Sequence, residues 1–306
     1  MIKTCLLIVE IDERYIIRIY VQKGLALEMK YAKFVNRGNN DYMKRTRMLN
    51  LGDNIKSIAV NKLLSYSEIQ QGDIIEVSYY NQSTITEPCC LIVNNHYNRQ
   101  MNLDYMNNRF IRPIFIGWAL MDSELLPEEV AYLKKYEPIL CRDEFTKNVL
   151  TKYQVEAYIM GCLSLTFDKR VEDCERDKFY FVDVPEKFLK KLPNKIRENA
   201  VFTRQHIKLE HIDEGVMKDG EHLAHERLNE YCNNAKMIIS PLLHCITPCL
   251  AMGIPVIAVG SNFSYRYGFI DAFVTSYNEK TFAEYNWEQK VKETDIEEIK
   301  HLILET

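Results

Sequence analysis

Short apolar runs alternate with longer amphipathic segments along most of this chain, and this alternation limits the possible folds more than any other feature. Residues 179–182 and 236–239 have the length and apolar character of buried strands. Between such runs, apolar residues recur at helical spacing, as Ile55, Ile58 and Leu63 do. Strands that alternate with helices form parallel sheets covered by helices, so we predict an α/β protein.

Most elements after residue 50 follow from the same pattern. The predicted strands span residues 90–93, 114–116, 138–141, 157–160, 179–182, 200–203, 236–239 and 255–259. The predicted helices span residues 127–136, 144–153, 224–235, 241–252 and 295–304, with one more starting at residue 185. Earlier, residues 4–9 fit a strand, while residues 15–21 fit either its hairpin partner or a helix that begins after Asp12.

The chain is long enough for two domains, since 306 residues can bury two cores of ordinary size. The stretch DKRVEDCERDK at residues 168–178 is almost wholly charged, which is typical of an exposed connection. We therefore expect an N-terminal Rossmann-like domain at residues 1–169, poorly defined over residues 1–47, and a C-terminal one at residues 170–306.

Composition and charge exclude several classes of partner. The net charge is −4, with 39 Lys and Arg residues against 43 Asp and Glu, so no overall basic field attracts nucleic acid. Glycine and proline break the apolar run around residues 249–259, well short of the ~20 residues that a membrane helix needs. The N-terminal segment soon becomes acidic, unlike a signal peptide, so we expect a cytoplasmic protein without a membrane span.

Cysteine and histidine spacing predicts neither disulfides nor a metal site. The nine cysteines form no CxxC pair, and an odd number in a cytoplasmic setting favours reduced thiols. His206 with His211, and His222 with His225, lack further ligands at metal-binding spacing. We expect these histidines at solvated helix or loop positions.

The segment KMIISPLLHCITPCLAMGIPVIAV, residues 236–259, has the pattern of a strand, a helix and a second strand. Ser240 suits the helix N-cap, Pro241 the first helical position and Gly253 the C′ position. His244 then lies in the first turn of a helix that follows a parallel strand. Open α/β sheets bind ligands at such strand ends, and helix N-termini favour anions.

Three ordered segments resemble signatures of the polysaccharide pyruvyl transferase family. NLGDNIKSIA at residues 50–59 resembles the family's N-x-G-D-x-I-Q-x-x-A opening, with Lys56 in place of Gln. CRDEFTKNVLTKYQVEAYIMGCLSLTF at residues 141–167 resembles its R-D-x-x-T…G-C-L-T-L-T block. SPLLHCITPCLAMGIPVI at residues 240–257 resembles its T-S-R-L-H-C/G helix that ends in G-x-P-V-I. The resemblance implies two Rossmann-like domains with parallel sheets facing a cleft, the GT-B-like arrangement.

The resemblance also implies a reaction. Family members transfer the pyruvyl group of phosphoenolpyruvate to two sugar hydroxyls as a ketal during surface polysaccharide synthesis. This implies a small-molecule donor, a sugar or lipid-linked sugar acceptor, and no cofactor besides the donor substrate phosphoenolpyruvate. Such chemistry needs cations for the donor's carboxylate and phosphate, an acid for its methylene carbon and a base for the hydroxyls.

Motif matches identify His244 and Arg142 as the predicted catalytic residues. His244 suits phosphate binding or proton transfer. Arg142 suits bidentate binding of a carboxylate or phosphate, and its alternative role is an ion pair with Asp143 or Glu144 at a helix start.

Six further residues are predicted to bind substrate. Three belong to the opening motif, where Gly52 would allow a positive-φ turn and Asp53 would cap the following helix. The set consists of Asn50, Gly52, Asp53, Asp143, Arg204 and Arg266. Arg204 and Arg266 follow predicted strands, and we expect each to be either a further binder of the anionic donor or a surface charge.

One position departs from the family pattern: the arginine that stands two residues before the histidine is Leu242 here. Another arginine such as Arg266 supplies the charge, or the donor or acceptor differs, or catalysis is lost. The alternative functions are accordingly a GT-B glycosyltransferase with a nucleotide-sugar donor, and a family member that has lost catalysis and acts as a binding or scaffold protein.

Overall fold

The chain forms two compact units, which we describe separately. The structure is a computed structural model that describes residues 7–11, 17–21, 30–36, 46–78, 82–97, 106–171, 175–208, 220–261, 263, 265–289 and 294–305. Unit 1 comprises Met1–Asn36, Ser57–Thr166 and Glu298–Thr306, and unit 2 comprises Arg37–Lys56 and Phe167–Glu297. The sequence predicts one division near residue 169, whereas the chain enters unit 2 twice, at residues 37 and 167.

Strands and helices alternate over much of the chain that the structure describes. The strands are β1 (Leu7–Ile11), β2 (Ile17–Val21), β3 (Lys30–Val35), β4 (Met48–Asn50), β5 (Ile74–Ser78), β6 (Cys89–Val93), β7 (His96–Tyr97), β8 (Ile111–Leu120), β9 (Ile139–Cys141), β10 (Ala157–Ile159), β11 (Lys178–Val182), β12 (Ala200–Thr203), β13 (His206–Lys208), β14 (Ala235–Ser240), β15 (Val256–Val259) and β16 (Ser276–Tyr277). The α-helices are α1 (Leu51–Tyr66), α2 (Pro127–Leu133), α3 (Glu144–Lys152), α4 (Glu186–Leu189), α5 (Asn194–Glu198), α6 (Gly220–Asn234), α7 (Leu243–Ala251), α8 (Glu279–Ala283) and α9 (Glu297–Glu305).

Unit 1 contains the larger sheet, with strand order β10-β9-β8-β6-β3-β5 and β7 paired with β8. Every pairing between its described strands is parallel. The direction in which the chain adds strands reverses between β3 and β6, as in doubly wound Rossmann-like sheets. Its core includes Phe115 and Trp118, whose ring centroids lie 4.9 Å apart.

Unit 2 contains a parallel sheet of order β12-β11-β14-β15-β16. Strand addition reverses between β11 and β14, so this sheet is doubly wound as well. Phe181, Ile239 and Val259 from three neighbouring strands share one core with Phe188 of α4 and Phe282 of α8. The prediction of an α/β fold built from two Rossmann-like parts is confirmed.

Several elements differ from their predicted form. Strands β1 and β2 pair antiparallel, which agrees with the hairpin alternative for residues 15–21. Strand β8 runs over ten residues where residues 114–116 were predicted. Strands β3 and β5, and the short antiparallel pair of β4 with β13, were not predicted from the sequence.

Candidate functional site

A short junction joins β14 to α7, the helix that carries His244. Ser240, the last residue of β14, is fully buried, and its hydroxyl donates to the Val182 carbonyl at 3.0 Å and accepts the Leu242 N–H at 3.0 Å. The bond to Val182 connects the carboxyl ends of β14 and β11, the strands between which strand addition reverses. Doubly wound sheets bind their ligands at this point.

Helix α7 begins later than predicted. Its N-cap is Leu242, which is extended (φ −101°, ψ 120°) and makes no side-chain cap. The prediction that Ser240 caps the helix and Pro241 begins it is wrong, because the Ser240 hydroxyl binds an N–H that precedes the first helical residue, Leu243. His244 nevertheless lies in the first turn, as predicted, and is 9% exposed.

The carboxyl end of α7 is formed as the sequence predicts. Gly253 has a φ of +70°, and its N–H donates to the Leu250 carbonyl at 3.0 Å. The next N–H, of Ile254, donates to the Cys249 carbonyl at 2.9 Å. Glycine suits this left-handed C′ position, so the carboxyl end of the helix that carries His244 is defined locally.

The first turn of α1 packs against His244. A Cβ atom on Gly52 would lie 3.1 Å from the His244 Cβ and 3.4 Å from its Cδ2, closer than side chains pack without shifting. Gly52 is helical, and the described glycines with positive φ are Gly117, Gly161 and Gly253. The predicted reason for this glycine, a positive-φ turn, is therefore wrong. Its small size permits the close approach of His244.

Side chains at the start of α1 form a small polar network. Asn50 accepts the Gly52 N–H on Oδ1 at 3.0 Å, and its Nδ2 donates to Asp53 Oδ2 at 3.1 Å. Asp53 Oδ1 lies 2.8 Å from Nζ of the buried Lys56. Asn50, rather than Asp53 as predicted, therefore caps the helix, and Asp53 compensates the charge of Lys56.

Strands β4 and β13 hold this turn within unit 2. Their antiparallel register places Asn50 opposite His206, and the Leu51 N–H donates to the Gln205 carbonyl at 3.0 Å. Gln205 is 1% exposed, and neither Oε1 nor Nε2 has a hydrogen-bond partner among the described residues. Buried amides are costly without partners, so the Gln205 carboxamide is suited to bind a ligand.

His206 faces a carboxylate at the end of β11. Its Nδ1 lies 3.5 Å from Asp183 Oδ2, which also accepts the backbone N–H groups of Gln205 and His206 at 2.7 and 3.2 Å. The hydrogen bond with Asp183 raises the pKa of His206 above its ordinary value of 6.5, partial burial lowers the pKa, and the charges of Asp183 and Asp53 raise it further. The net effect of these groups is a raised pKa of His206.

The prediction of a solvated helix or loop position is wrong for His206 because its Nδ1 faces the Asp183 carboxylate from strand β13. A sequence signal existed, since Asp183 directly follows a strand and His206 lies close behind the next one. Parallel strands bring such residues to one edge. His222 and His225 are exposed on α6, as predicted, and His211 lies outside the described residues.

Unit 1 contains the predicted Arg-Asp pair. Arg142 is 2% exposed, and its Nε lies 3.8 Å from Asp143 Oδ2. Asp143 caps α3, because its Oδ1 accepts the N–H and the hydroxyl of Thr146 at 2.9 and 2.7 Å. The ion pair at a helix start, which the sequence leaves as an alternative, is thus present.

Arg204 and Arg266, the two further arginines predicted to bind the anionic donor, belong to unit 2. Arg204 is exposed between β12 and β13. Arg266 lies in the 3-10 turn Tyr265–Tyr267 after β15, and its side chain lies outside the described part of the structure. Unit 2 therefore brings Asn50, Gly52, Asp53 and His244 together, whereas the exposed Arg204 lies at its surface.

Two further searches concern only the residues that the structure describes. Within them, no cluster of three or more His, Cys, Asp or Glu side chains is arranged to hold a metal ion. Within the same residues, no helix combines the length and the apolar character needed to cross a membrane.

Comparisons with known proteins identify the family. The sequence profile described as polysaccharide pyruvyl transferase matches residues 32–262, which is most of the chain. No curated protein matches this sequence. A crystal structure of a functionally uncharacterised protein from Klebsiella pneumoniae is similar, with 11% identity, coverage of 82% of this chain and 90% of that chain, and a TM-score of 0.49. By its sequence match, this chain belongs to the polysaccharide pyruvyl transferase family.

Proposed function

We propose that this protein transfers the pyruvyl unit of phosphoenolpyruvate to two hydroxyls of a sugar, forming a ketal during surface polysaccharide synthesis. The observation that carries the proposal is the contact between His244 and the first turn of α1 at Gly52. This contact joins the first and the last family motif in one site of unit 2. The site lies beside the strand ends at which strand addition reverses.

The proposed reaction forms two C–O bonds and breaks one. Each sugar oxygen bonds to C2 of phosphoenolpyruvate, and the C2–O bond to phosphate breaks, its electron pair leaving with the phosphate. One hydroxyl proton accounts for the hydrogen that converts the methylene to a methyl group. The proton of the other hydroxyl leaves with the phosphate. The protein must supply an acid, a base and donors to the phosphate.

His244 is the proposed phosphate ligand or acid. It lies in the first turn of α7, where the helix dipole and the N–H groups that lack intrahelical partners favour an anion. An imidazole can donate to a phosphate oxygen and can also transfer a proton. Histidine at this position therefore suits both roles in the proposed reaction.

Arginines are the proposed ligands of the donor's carboxylate and phosphate. Within unit 1, Arg142 is buried with its Nε 3.8 Å from Asp143 Oδ2, and its planar guanidinium suits bidentate binding of an anion. Leu242 leaves the α7 cap of unit 2 without a charged side chain. Arg204 and Arg266 are therefore the proposed anion-binding residues of unit 2.

Leu242 also favours a second candidate function. A donor whose phosphates are bound by the N–H groups of α7 needs no arginine at the cap. A glycosyltransferase that uses a nucleotide-sugar donor would meet this description. Its diphosphate would lie at the start of α7, and His244 would contact it.

The test is phosphate release. Purified protein is incubated with phosphoenolpyruvate and a panel of free, nucleotide-linked and lipid-linked sugars, and phosphate is measured together with the ketal methyl signal by NMR. We expect release with one class of acceptor and a loss of roughly 10²–10⁴-fold in His244→Ala. His222→Ala is the matched control, because His222 is an exposed histidine of the same unit.

Calorimetry separates the two candidates. Binding of phosphoenolpyruvate by the wild type, weakened in His244→Ala, supports pyruvyl transfer. Binding of a nucleotide sugar without binding of phosphoenolpyruvate would overturn pyruvyl transfer and support the glycosyltransferase.

A further inference from the structure

The Asp183–His206 pair lies at the same strand ends as His244. Asp183 follows Val182, whose carbonyl accepts the Ser240 hydroxyl at the start of the junction to α7. On the other side, His206 lies opposite Asn50, two residues before the glycine that contacts His244. Both imidazoles therefore flank the first turn of α1 within unit 2.

The pair has the geometry of a positioned imidazole. Asp183 Oδ2 lies 3.5 Å from His206 Nδ1, so the other ring nitrogen, Nε2, points away from this carboxylate. The same carboxylate oxygen accepts two backbone N–H groups, which restricts its position. The His206 side chain is 31% exposed, so a ligand can reach it. An imidazole held through Nδ1 by a carboxylate is the arrangement by which enzymes orient a general base.

Asp183 has an unusual backbone conformation. Its φ is 51°, in the left-handed region, which aspartate and asparagine adopt more often than other residues with a Cβ but still uncommonly. Such strain costs roughly 1–3 kcal/mol and clusters at functional sites. The carboxylate that faces His206 is therefore held at a cost to the fold.

The charged groups around His206 favour proton uptake. Asp183 at the end of β11 and Asp53 of α1 both raise its pKa, while Lys56 of α1 is paired with Asp53. Arg204, between β12 and β13, is exposed to solvent, and Asn50 on β4 carries no charge. Two carboxylates thus make His206 a stronger base than an isolated histidine.

We propose that His206 is a second catalytic residue of the unit 2 site, the base that accepts the proton of the acceptor's hydroxyl, and that Asp183 is its positioning residue. This inference rests on the proposed pyruvyl transfer. It assigns separate groups to the protonation of the methylene carbon, by His244, and to the deprotonation of the attacking hydroxyl, by His206.

The assigned steps balance. In the first step, a sugar oxygen bonds to C2, and its hydroxyl proton passes to His206 Nε2. The electron pair of the C2–methylene double bond takes a proton from His244, which converts the methylene to a methyl group. In the second, the other sugar oxygen bonds to C2 as the C2–O bond to phosphate breaks. The proton held by His206 leaves with the phosphate, and the second hydroxyl proton restores His244.

Gln205 directly precedes His206 and carries a second polar group that the proposed reaction can use. Its buried carboxamide, which lacks hydrogen-bond partners among the described residues, offers one acceptor and two donors. A sugar hydroxyl can donate to the amide oxygen and accept from its nitrogen. We expect Gln205 to bind a hydroxyl of the acceptor while His206 deprotonates one.

The test compares His206→Gln and Asp183→Asn with the wild type. Asn tolerates the left-handed φ of position 183 and keeps an acceptor for the two N–H groups, but it removes the charge. We expect His206→Gln to lower kcat about 100-fold or more with little change in KM for phosphoenolpyruvate. We expect Asp183→Asn to lower the pKa of His206 measured by NMR, and to shift the rising limb of the pH–rate profile downward by the same amount.

The possible results distinguish a failure of the role proposed for His206 from a failure of the proposed pyruvyl transfer on which that role rests. If the wild type releases no phosphate from phosphoenolpyruvate with any acceptor, pyruvyl transfer fails and the assignment of His206 fails with it. If the wild type is active but His206→Gln keeps kcat within threefold, or the profile of Asp183→Asn does not shift, only the role of His206 is overturned.

Discussion

Gly52 lies close to His244 in unit 2, and the absence of a Cβ on Gly52 makes this approach possible. An added Cβ would meet the His244 Cβ at 3.1 Å and Asn50 Oδ1 at 3.0 Å. Gly52→Ala gains up to about 1 kcal/mol in helix propensity, while overpacking costs roughly 1–3 kcal/mol. We expect a net loss of stability by chemical denaturation, and a fall in phosphate release on the order of tenfold or more because His244 moves.

Gly72→Ala is the control for that substitution. Among the described residues, nothing lies within 4 Å of a Cβ at Gly72 in the short 3-10 helix Gln71–Asp73. We expect unchanged activity and unchanged or slightly higher stability. If Gly52→Ala behaves in the same way, the contact with His244 does not restrict that side chain.

Asn50 is expected to matter for the site as well as for the helix. Asn50→Ala removes the cap of α1 and the bond to Asp53, and should lower stability by about 1 kcal/mol. Asn278→Ala is matched to it, because Asn278 caps α8 through its Oδ1. We expect similar stability losses in denaturation but a loss of phosphate release only for Asn50→Ala. Equal activity in the two variants would contradict a role for Asn50 in the site.

The buried Arg-Asp pair of unit 1 should be sensitive to the removal of one partner. Asp143→Ala deletes the cap of α3 and removes the carboxylate that lies beside the buried Arg142, at an expected cost of about 3–5 kcal/mol. The double variant Arg142→Met/Asp143→Ala should be less destabilised than the sum of the single variants. Glu186→Ala, which breaks the exposed pair with Lys190, should change stability by less than about 0.5 kcal/mol. Strict additivity in the double-mutant cycle would contradict the coupling.

The stability contributed by His206 should depend on pH in one direction. Since its pKa in the folded protein is raised above 6.5, the folded state binds the proton more tightly than the unfolded state. The contribution is therefore fully present below about pH 6.5 and is lost as the pH rises through the folded pKa. We expect the difference in melting temperature between wild type and His206→Gln to be larger at pH 6 than at pH 9. In the Asp183→Asn background the difference should be nearly independent of pH.

Much of unit 2 could be predicted because its strands are plain apolar runs. Strand β3 of unit 1 could not, because Lys33 interrupts it. Lys33 is buried, with Nζ 3.5 Å from Glu76 Oε1 on β5. Only the pairing of β3 with β5 provides that carboxylate, so the sequence around Lys33 carries no sign that the lysine can be buried.

The residues of the unit 2 site also differ in how well their positions could be predicted from the sequence. His244 could be placed in a first helical turn because the strand, the turn and Gly253 lie within one short segment of sequence. Asp183 and His206 belong to separate segments, and their contact depends on the adjacency of β11 and β12. The contact of Gly52 with His244 is still less local, because it depends on the pairing of β4 with β13.

Helix α1 limits how this protein can be divided into fragments that are expressed separately. Unit 2 takes residues 37–56, including the first turn of α1, from a part of the chain far from its other residues. A fragment that starts at residue 167 would express β13 without β4, and His244 without Gly52. The unit 2 site therefore cannot be grafted onto another enzyme as one continuous segment, and a chimera that keeps it must also carry the native residues 46–56.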